Sequence, residues 1–201
     1  MWRGRKPIAG RRRPTPHRRR APHDPRCPIH VTLRLHAGLP SLRGDAVFGA
    51  VRCAFAAASR RSFRLLHFSA QSDHLHLVVE SDTPTRFTRG VQGLAIRMAR
   101  AINRVLRRRG KVWDGRYHAR MLRTPREVRN ALVYVLQNFK KHLRGVAGVD
   151  PRASARWFQG WRSIAAAPLT GAPVVAARTW LARIGWRRHG LLEFTDAPRS
   201  P

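Results

Sequence analysis

The chain has 201 residues, 43% of them apolar, which is enough for the core of one ordinary domain with extensions. It carries 41 Lys and Arg against 10 Asp and Glu, a formal net charge of +31, and so suits a polyanionic partner, nucleic acid above all. No segment approaches the roughly 18 uninterrupted apolar residues of a membrane span, and no apolar block follows the basic start as a secretory signal requires.

Residues 1–28 (MWRGRKPIAGRRRPTPHRRRAPHDPRCP) mix arginine runs with repeated proline and have no periodicity, which predicts a disordered basic arm. An organelle transit peptide is also arginine-rich and acid-poor, but the prolines argue against its amphipathic helix. Cys27 and Cys53 have no metal-like spacing and read as small apolar fillers in a reduced intracellular protein. Apart from Lys6, Lys111, Lys140 and Lys141 the basic charge is arginine, whose fork suits phosphate contact and stacking on bases.

The pattern then alternates. IHVTLRLH (29–36) reads as a strand, and the alanine-rich segment 44–60 has helical apolar spacing. Two strands follow at 62–71 and 74–80, close enough for a hairpin through Ser72 and Asp73. Residues 84–108 predict a long basic helix with Pro84 near its start, carrying Arg97, Arg100, Arg104 and Arg107 as a stripe suited to phosphates. GRYHARML (115–122) predicts a fourth strand. Thr124, Pro125 and Glu127 form a capping-box pattern opening a helix over 124–143. The order β-α-β-β-α-β-α predicts an α+β fold of the ferredoxin-like, split βαβ kind: an antiparallel sheet with helices on one face. The expected organisation is an arm at 1–28, one domain at 29–147, and an accessory helical region with a loose tail at 148–201. The last region holds four of the six tryptophans, expected to pack on the domain, with base stacking by Trp157 or Trp161 as the alternative.

Three residues stand apart from core patterning. In QSDHLHLVVE (71–80), successive side chains alternate, so His74 and His76 share one face while Leu75, Leu77 and Val79 supply core from the other. Two imidazoles one pleat repeat apart, about 6 to 7 Å, can converge on one divalent ion. In the helix at 124–143 the apolar stripe runs Val128, Leu132, Val135, Phe139 and Leu143. At about 100° per residue, Tyr134, Asn138 and Lys141 share a different face. A tyrosine serves as a nucleophile when its phenol is deprotonated against a polarised electrophile. Of the two tyrosines, Tyr117 sits in a predicted strand where packing explains it, which favours Tyr134 over Tyr117.

Together, HLHLVVE, VWDGRYHARML and YVLQNFKKH resemble the single-tyrosine HUH transposases, the insertion-sequence-200-like group, and within it the REP-associated tyrosine transposases. The resemblance spans roughly residues 29–145. It implies that His74, His76 and Asn138 hold a divalent metal, Mg²⁺ or Mn²⁺, and that Tyr134 is the nucleophile. It further implies cutting and rejoining of single-stranded, hairpin-forming DNA through a 5′-phosphotyrosine link, by a monomer or homodimer at a bacterial, cytoplasmic nucleoid. Lys141 and the arginine stripe are then DNA contacts, and a cation near Tyr134, Lys141 or an arginine, lowers its pKa. Relatives usually read asparagine-proline where this chain has Asn138-Phe139, which leaves the helix free to continue. Two other readings stay open: a nucleic-acid-binding module that keeps the fold without the chemistry, and a water-using metal nuclease in which Tyr134 is incidental.

Overall fold

The computed structural model describes residues 22–141, 148–163 and 165–198. Most of the expected arm, residues 1–21, lies outside the described residues, as does the side chain of Lys141. In chain order the elements are β1 (Ile29–Arg34), α1 (Asp45–Ala56), β2 (Phe63–Ala70), β3 (His74–Ser81), α2 (Pro84–Val105), β4 (His118–Met121) and α3 (Pro125–Gln137). The strands form one sheet in the order β2-β3-β1-β4 with every neighbouring pair antiparallel, the split βαβ arrangement of an α+β fold.

Alternation along the strands divides the sheet into two faces. Val31 and Leu33 of β1, Leu65 and Phe68 of β2, and Leu75, Leu77 and Val79 of β3 form one core with α1 and α2. Helix α2 begins where Thr83 accepts a hydrogen bond from the Arg86 amide and Pro84 takes the first helical position. It buries Phe87, Val91, Leu94, Met98 and Ile102, spaced by three and four, each worth about 1.5 to 3 kcal/mol of transfer free energy when fully buried. A methyl at Gly90 would overlap the Phe63 ring, so glycine is what lets α2 approach β2 so closely.

The helices of the βαββαβ unit, α1 and α2, thus share one face, as expected. Helix α3 follows that unit and takes the other face. There Leu66 and Val78 project from β2 and β3, and Val135 covers them. A register shift between Leu65 and His67 makes Leu66 an extra residue in β2, the mark of a β-bulge. Helix α3 opens with the predicted capping box. Thr124 Oγ1 accepts from the Glu127 amide, and the Glu127 carboxylate accepts from the Thr124 amide. Its α-helical hydrogen bonding ends at Gln137, earlier than expected. Residues Asn138–Lys141 tighten into a 3-10 turn, and Leu143, the last member of the expected stripe, lies outside the described residues.

The C-terminal region contributes 3-10 turns at Ser154–Trp157 and Gly185–His189 and the short α4 (Trp180–Arg183). Phe158, Trp161 and Trp186 are buried in a second core with Leu132 and Leu136 of α3. Trp161 donates its Nε1–H to the Ala155 carbonyl at 2.9 Å and stacks on Phe194, ring centroids 4.9 Å apart. Trp157 is half-buried against Phe68. Packing thus accounts for Trp157 and Trp161, whereas Trp180 is exposed beneath the Arg188 guanidinium, 4.8 Å from its ring centroid. Two polar anchors tie this region down: the Arg43 guanidinium grips Asp150 through two bonds of 2.9 Å, and the buried Glu80 carboxylate accepts from the Arg178 and Thr179 amides. Among the described residues no helix is long and apolar enough to cross a membrane.

Candidate functional site

The sheet face beneath α3 should be apolar if its only task were packing. Instead, strand alternation sets His30, Thr32 and Arg34 of β1 beside His74 and His76 of β3, with Thr32 opposite His76 and Arg34 opposite His74. Strand β4 adds His118 opposite Thr32 and Arg120 opposite His30. The rings of His74 and His76 lie 4.6 Å apart between centroids and nearly perpendicular, so the expected pair does converge. Tyr134 comes down from α3 onto the same place. Its ring meets His76 edge-on at 4.9 Å and His30 at 5.9 Å.

Each histidine of the pair has its Nδ1 engaged. The Nδ1 of His74 is 2.6 Å from the Asp73 carboxylate, which also accepts from Arg34 at 2.9 Å. The His74 bond, with help from Arg34, keeps the Asp73 carboxyl below the usual range. The Asp73 carboxylate is placed to accept an Nδ1–H from His74, and an imidazole that donates from Nδ1 has its lone pair on Nε2, the way a metal-binding imidazole is commonly oriented. His76 is buried, and its Nδ1 lies 3.2 Å from both His30 Nε2 and Thr32 Oγ1. Burial, reinforced by the neighbouring charges of His118 and Arg120, brings His30 down to a pKa of about 4, so it is neutral at ordinary pH.

Asn138 follows Tyr134 by one helical turn, where α3 gives way to the 3-10 turn. It is 1% exposed, and neither atom of its carboxamide has a hydrogen-bond partner among the described residues. Leaving such a group unpaired costs about 1 to 3 kcal/mol per unsatisfied donor or acceptor. A hard cation bound by the carboxamide oxygen would remove part of that cost, and imidazole and amide donors together suit a divalent ion. Among the described residues no group of three or more His, Cys, Asp or Glu is arranged to hold a metal, and the expected third ligand, Asn138, is an amide.

The expected pKa lowering of Tyr134 is not what the structure shows. Burial pushes the phenol above its ordinary value. The Lys141 side chain, one expected source of such lowering, lies outside the described residues. Tyr117 packs edge-on against Phe87 on the α1–α2 side, away from Tyr134. The arginine stripe is also on that side. Arg100 and Arg104 are exposed on α2, Arg97 is half-buried, and Arg107 has left the helix with φ 48°. The structure thus brings His74, His76 and Tyr134 together and leaves the stripe across the sheet. Sequence reading missed Asp73, His30 and Thr32, although the alternation in IHVTLRLH already sets His30, Thr32 and Arg34 on a single face.

Comparison with protein families matches residues 27–138, more than half of the chain, to the model described as "Transposase IS200 like". The chain belongs to this family of IS200-like transposases. Among solved structures it is similar to that of a REP-associated tyrosine transposase bound to a REP hairpin, with a TM-score of 0.57 at 17% identity. That likeness covers 70% of this chain and 82% of the other, and at this identity it speaks for the fold. No curated protein matches the chain. The matched segment spans β1 to the start of the 3-10 turn at Asn138 and so contains His30, Thr32, Asp73, His74, His76, Tyr134 and Asn138, with Lys141 beyond it.

Proposed function

We propose that this transposase cuts and rejoins single-stranded, hairpin-forming DNA through a covalent link between Tyr134 and a 5′-phosphate. The observation that carries the reading is the Tyr134 ring lying against His76 on a sheet face where two imidazoles converge. His74, His76 and Asn138 would hold Mg²⁺ or Mn²⁺, which would supply charge stabilisation at a phosphate oxygen. Asp73 orients His74, while the rings of His30 and His76 fix the plane of the phenol.

In the first displacement the Tyr134 oxygen attacks phosphorus and loses its proton. The bond from phosphorus to the 3′ oxygen breaks, and that oxygen leaves as a hydroxyl after taking a proton. In the second, a 3′-hydroxyl attacks the phosphotyrosine, its phosphodiester re-forms, and Tyr134 regains its proton. One phosphoester bond replaces another at each step, so no nucleotide cofactor is consumed. Because burial raises the phenol's pKa, the proton has to leave as attack proceeds. Arg97, Arg100, Arg104 and Arg107, with Lys141, are proposed to follow the DNA backbone outside the cleavage site, where counterion release would dominate affinity.

The test is a denaturing-gel assay with 5′- and 3′-labelled hairpin oligonucleotides from the protein's genomic flanks in Mg²⁺ or Mn²⁺. Label shifted to protein size in wild type, and lost in Tyr134→Phe, in His76→Ala and with chelator, is the expected result. Cleavage without an adduct would point instead to a water-using nuclease. Binding without cleavage, on DNA that active relatives cut, would point to a binding module.

A further inference from the structure

Both histidines of the pair are anchored through Nδ1, but by chemically different partners. Exposed ground surrounds Asp73, so an ionised carboxylate can serve His74 without heavy desolvation. His76 lies deeper, where an unpaired carboxylate would be costly, and its Nδ1 meets an imidazole and a hydroxyl. The strand register makes this arrangement: Thr32 is directly opposite His76, and His30 is two residues along on the same face of β1.

We infer that His30 is a positioning residue of the candidate metal site: its Nε2 accepts the Nδ1–H of His76, with Thr32 Oγ1 as second partner, and so directs the His76 Nε2 lone pair at the ion. The inference rests on the metal-holding reading above and deepens it. A ring nitrogen that donates from Nδ1 has its lone pair on Nε2; the opposite tautomer puts a proton there and cannot ligate. His30 also meets the Tyr134 ring at 5.9 Å, so one imidazole orients both the ligand and the wall against which the nucleophile rests. Anchoring of this kind commonly changes metal affinity by roughly 10- to 100-fold.

Two measurements on the full-length protein test this. The first is long-range ¹H–¹⁵N NMR of histidine-labelled wild type, with His76→Ala to assign the signals. It should show His76 protonated on Nδ1 before any ion is added. Protonation on Nε2 would overturn the inference without any variant having to fold. The second is calorimetric titration of Mn²⁺ without DNA. Relative to wild type, His30→Leu should weaken binding roughly 10- to 100-fold and Thr32→Val by a smaller factor, whereas His30→Gln, whose amide oxygen still accepts, should lie much nearer wild type. Wild-type affinity in His30→Leu, with binding lost in His76→Ala, would overturn the role of His30 alone. Equal losses in His30→Leu and His30→Gln would also overturn it, because bulk and not hydrogen bonding would then be the cause. A folded wild type that takes up no Mn²⁺, and is no different from His76→Ala, would overturn the metal-holding reading itself.

Discussion

Glu80 sits on β3 on the same face as His74 and His76, and its side chain is 3% exposed. It is one of two buried carboxylates, with Asp150, that hold the C-terminal region to the rest of the fold. Its carboxylate pairs with the Arg64 guanidinium, itself 8% exposed, and accepts from the Arg178 amide at 3.0 Å, the Thr179 amide at 2.9 Å and Thr179 Oγ1 at 2.7 Å. Arg64 Nε has no hydrogen-bond partner among the described residues, so the guanidinium leans on Glu80 for compensation. Glu80→Ala leaves a buried cation and two amide donors without their acceptor. Breaking a buried pair from one side costs about 3 to 5 kcal/mol. Glu80→Gln keeps the shape and one acceptor oxygen and should lose less. The double variant Glu80→Ala/Arg64→Ala should lose less than the sum of the single changes, because the orphaned charge has gone too. The assay is urea denaturation followed by the fluorescence of the chain's six tryptophans, Trp161 and Trp186 among them, with limited trypsin digestion at Arg178 and Arg183. If Glu80→Ala stays within about 1 kcal/mol of wild type and gains no tryptic cleavage there, the buried carboxylate is not the anchor.

The remaining predictions concern acid stability, a close contact and DNA affinity. Burial lowers His67, packed on Phe158 beside Ser154, from the ordinary histidine value of 6.5 to a pKa of about 4. Below pH 6.5 the unfolded chain takes up the proton first, so His67 costs nothing at pH 7 and destabilises progressively as pH falls towards 4. Urea unfolding at pH 5 should show a loss of about 2 kcal/mol from this group, and His67→Gln should flatten the pH dependence by that amount; an unchanged slope contradicts it. Gly90→Ala forces a methyl into the Phe63 ring and should cost about 1 to 3 kcal/mol, read as a lower thermal midpoint. If Arg100, Arg104 and Arg107 each meet one phosphate, replacing all three by alanine should reduce the salt slope of single-strand binding by about 2; an unchanged slope would remove the stripe from the DNA path.

Much of this was legible because local and tertiary preferences agree. Alternation in HLHLVVE set His74 and His76 against Leu75, Leu77 and Val79, and the structure buries those three in the core with α1 and α2. The capping box at Thr124 located the start of α3, since its hydrogen bonds are local in sequence. What sequence could not supply was pairing between distant strands. His30 is forty-six residues from His76, and only the β1–β3 register brings the two within 3.2 Å. Asp73 looked like a turn residue because its bond to His74 depends on the geometry of the hairpin. The end of α3 was also hidden: periodicity continued through Phe139, but the backbone tightens at Asn138. Of the stripe read as one helix face, Arg97, Arg100 and Arg104 lie on α2 while Arg107 falls beyond its end, and which side of the sheet that face lies on is a property of the layers, not of the helix.

The central claim is that Tyr134 bonds covalently to DNA, and peptide mass spectrometry tests it most directly. Wild-type protein would be trapped on a hairpin substrate, nuclease-trimmed and digested with trypsin, which releases residues 130–140 with Tyr134 as their only tyrosine. The account predicts that this peptide carries a nucleotide phosphate on Tyr134, and that the mass is absent without a divalent ion. A nucleotide on Tyr117, or efficient cleavage with residues 130–140 unmodified, would contradict it.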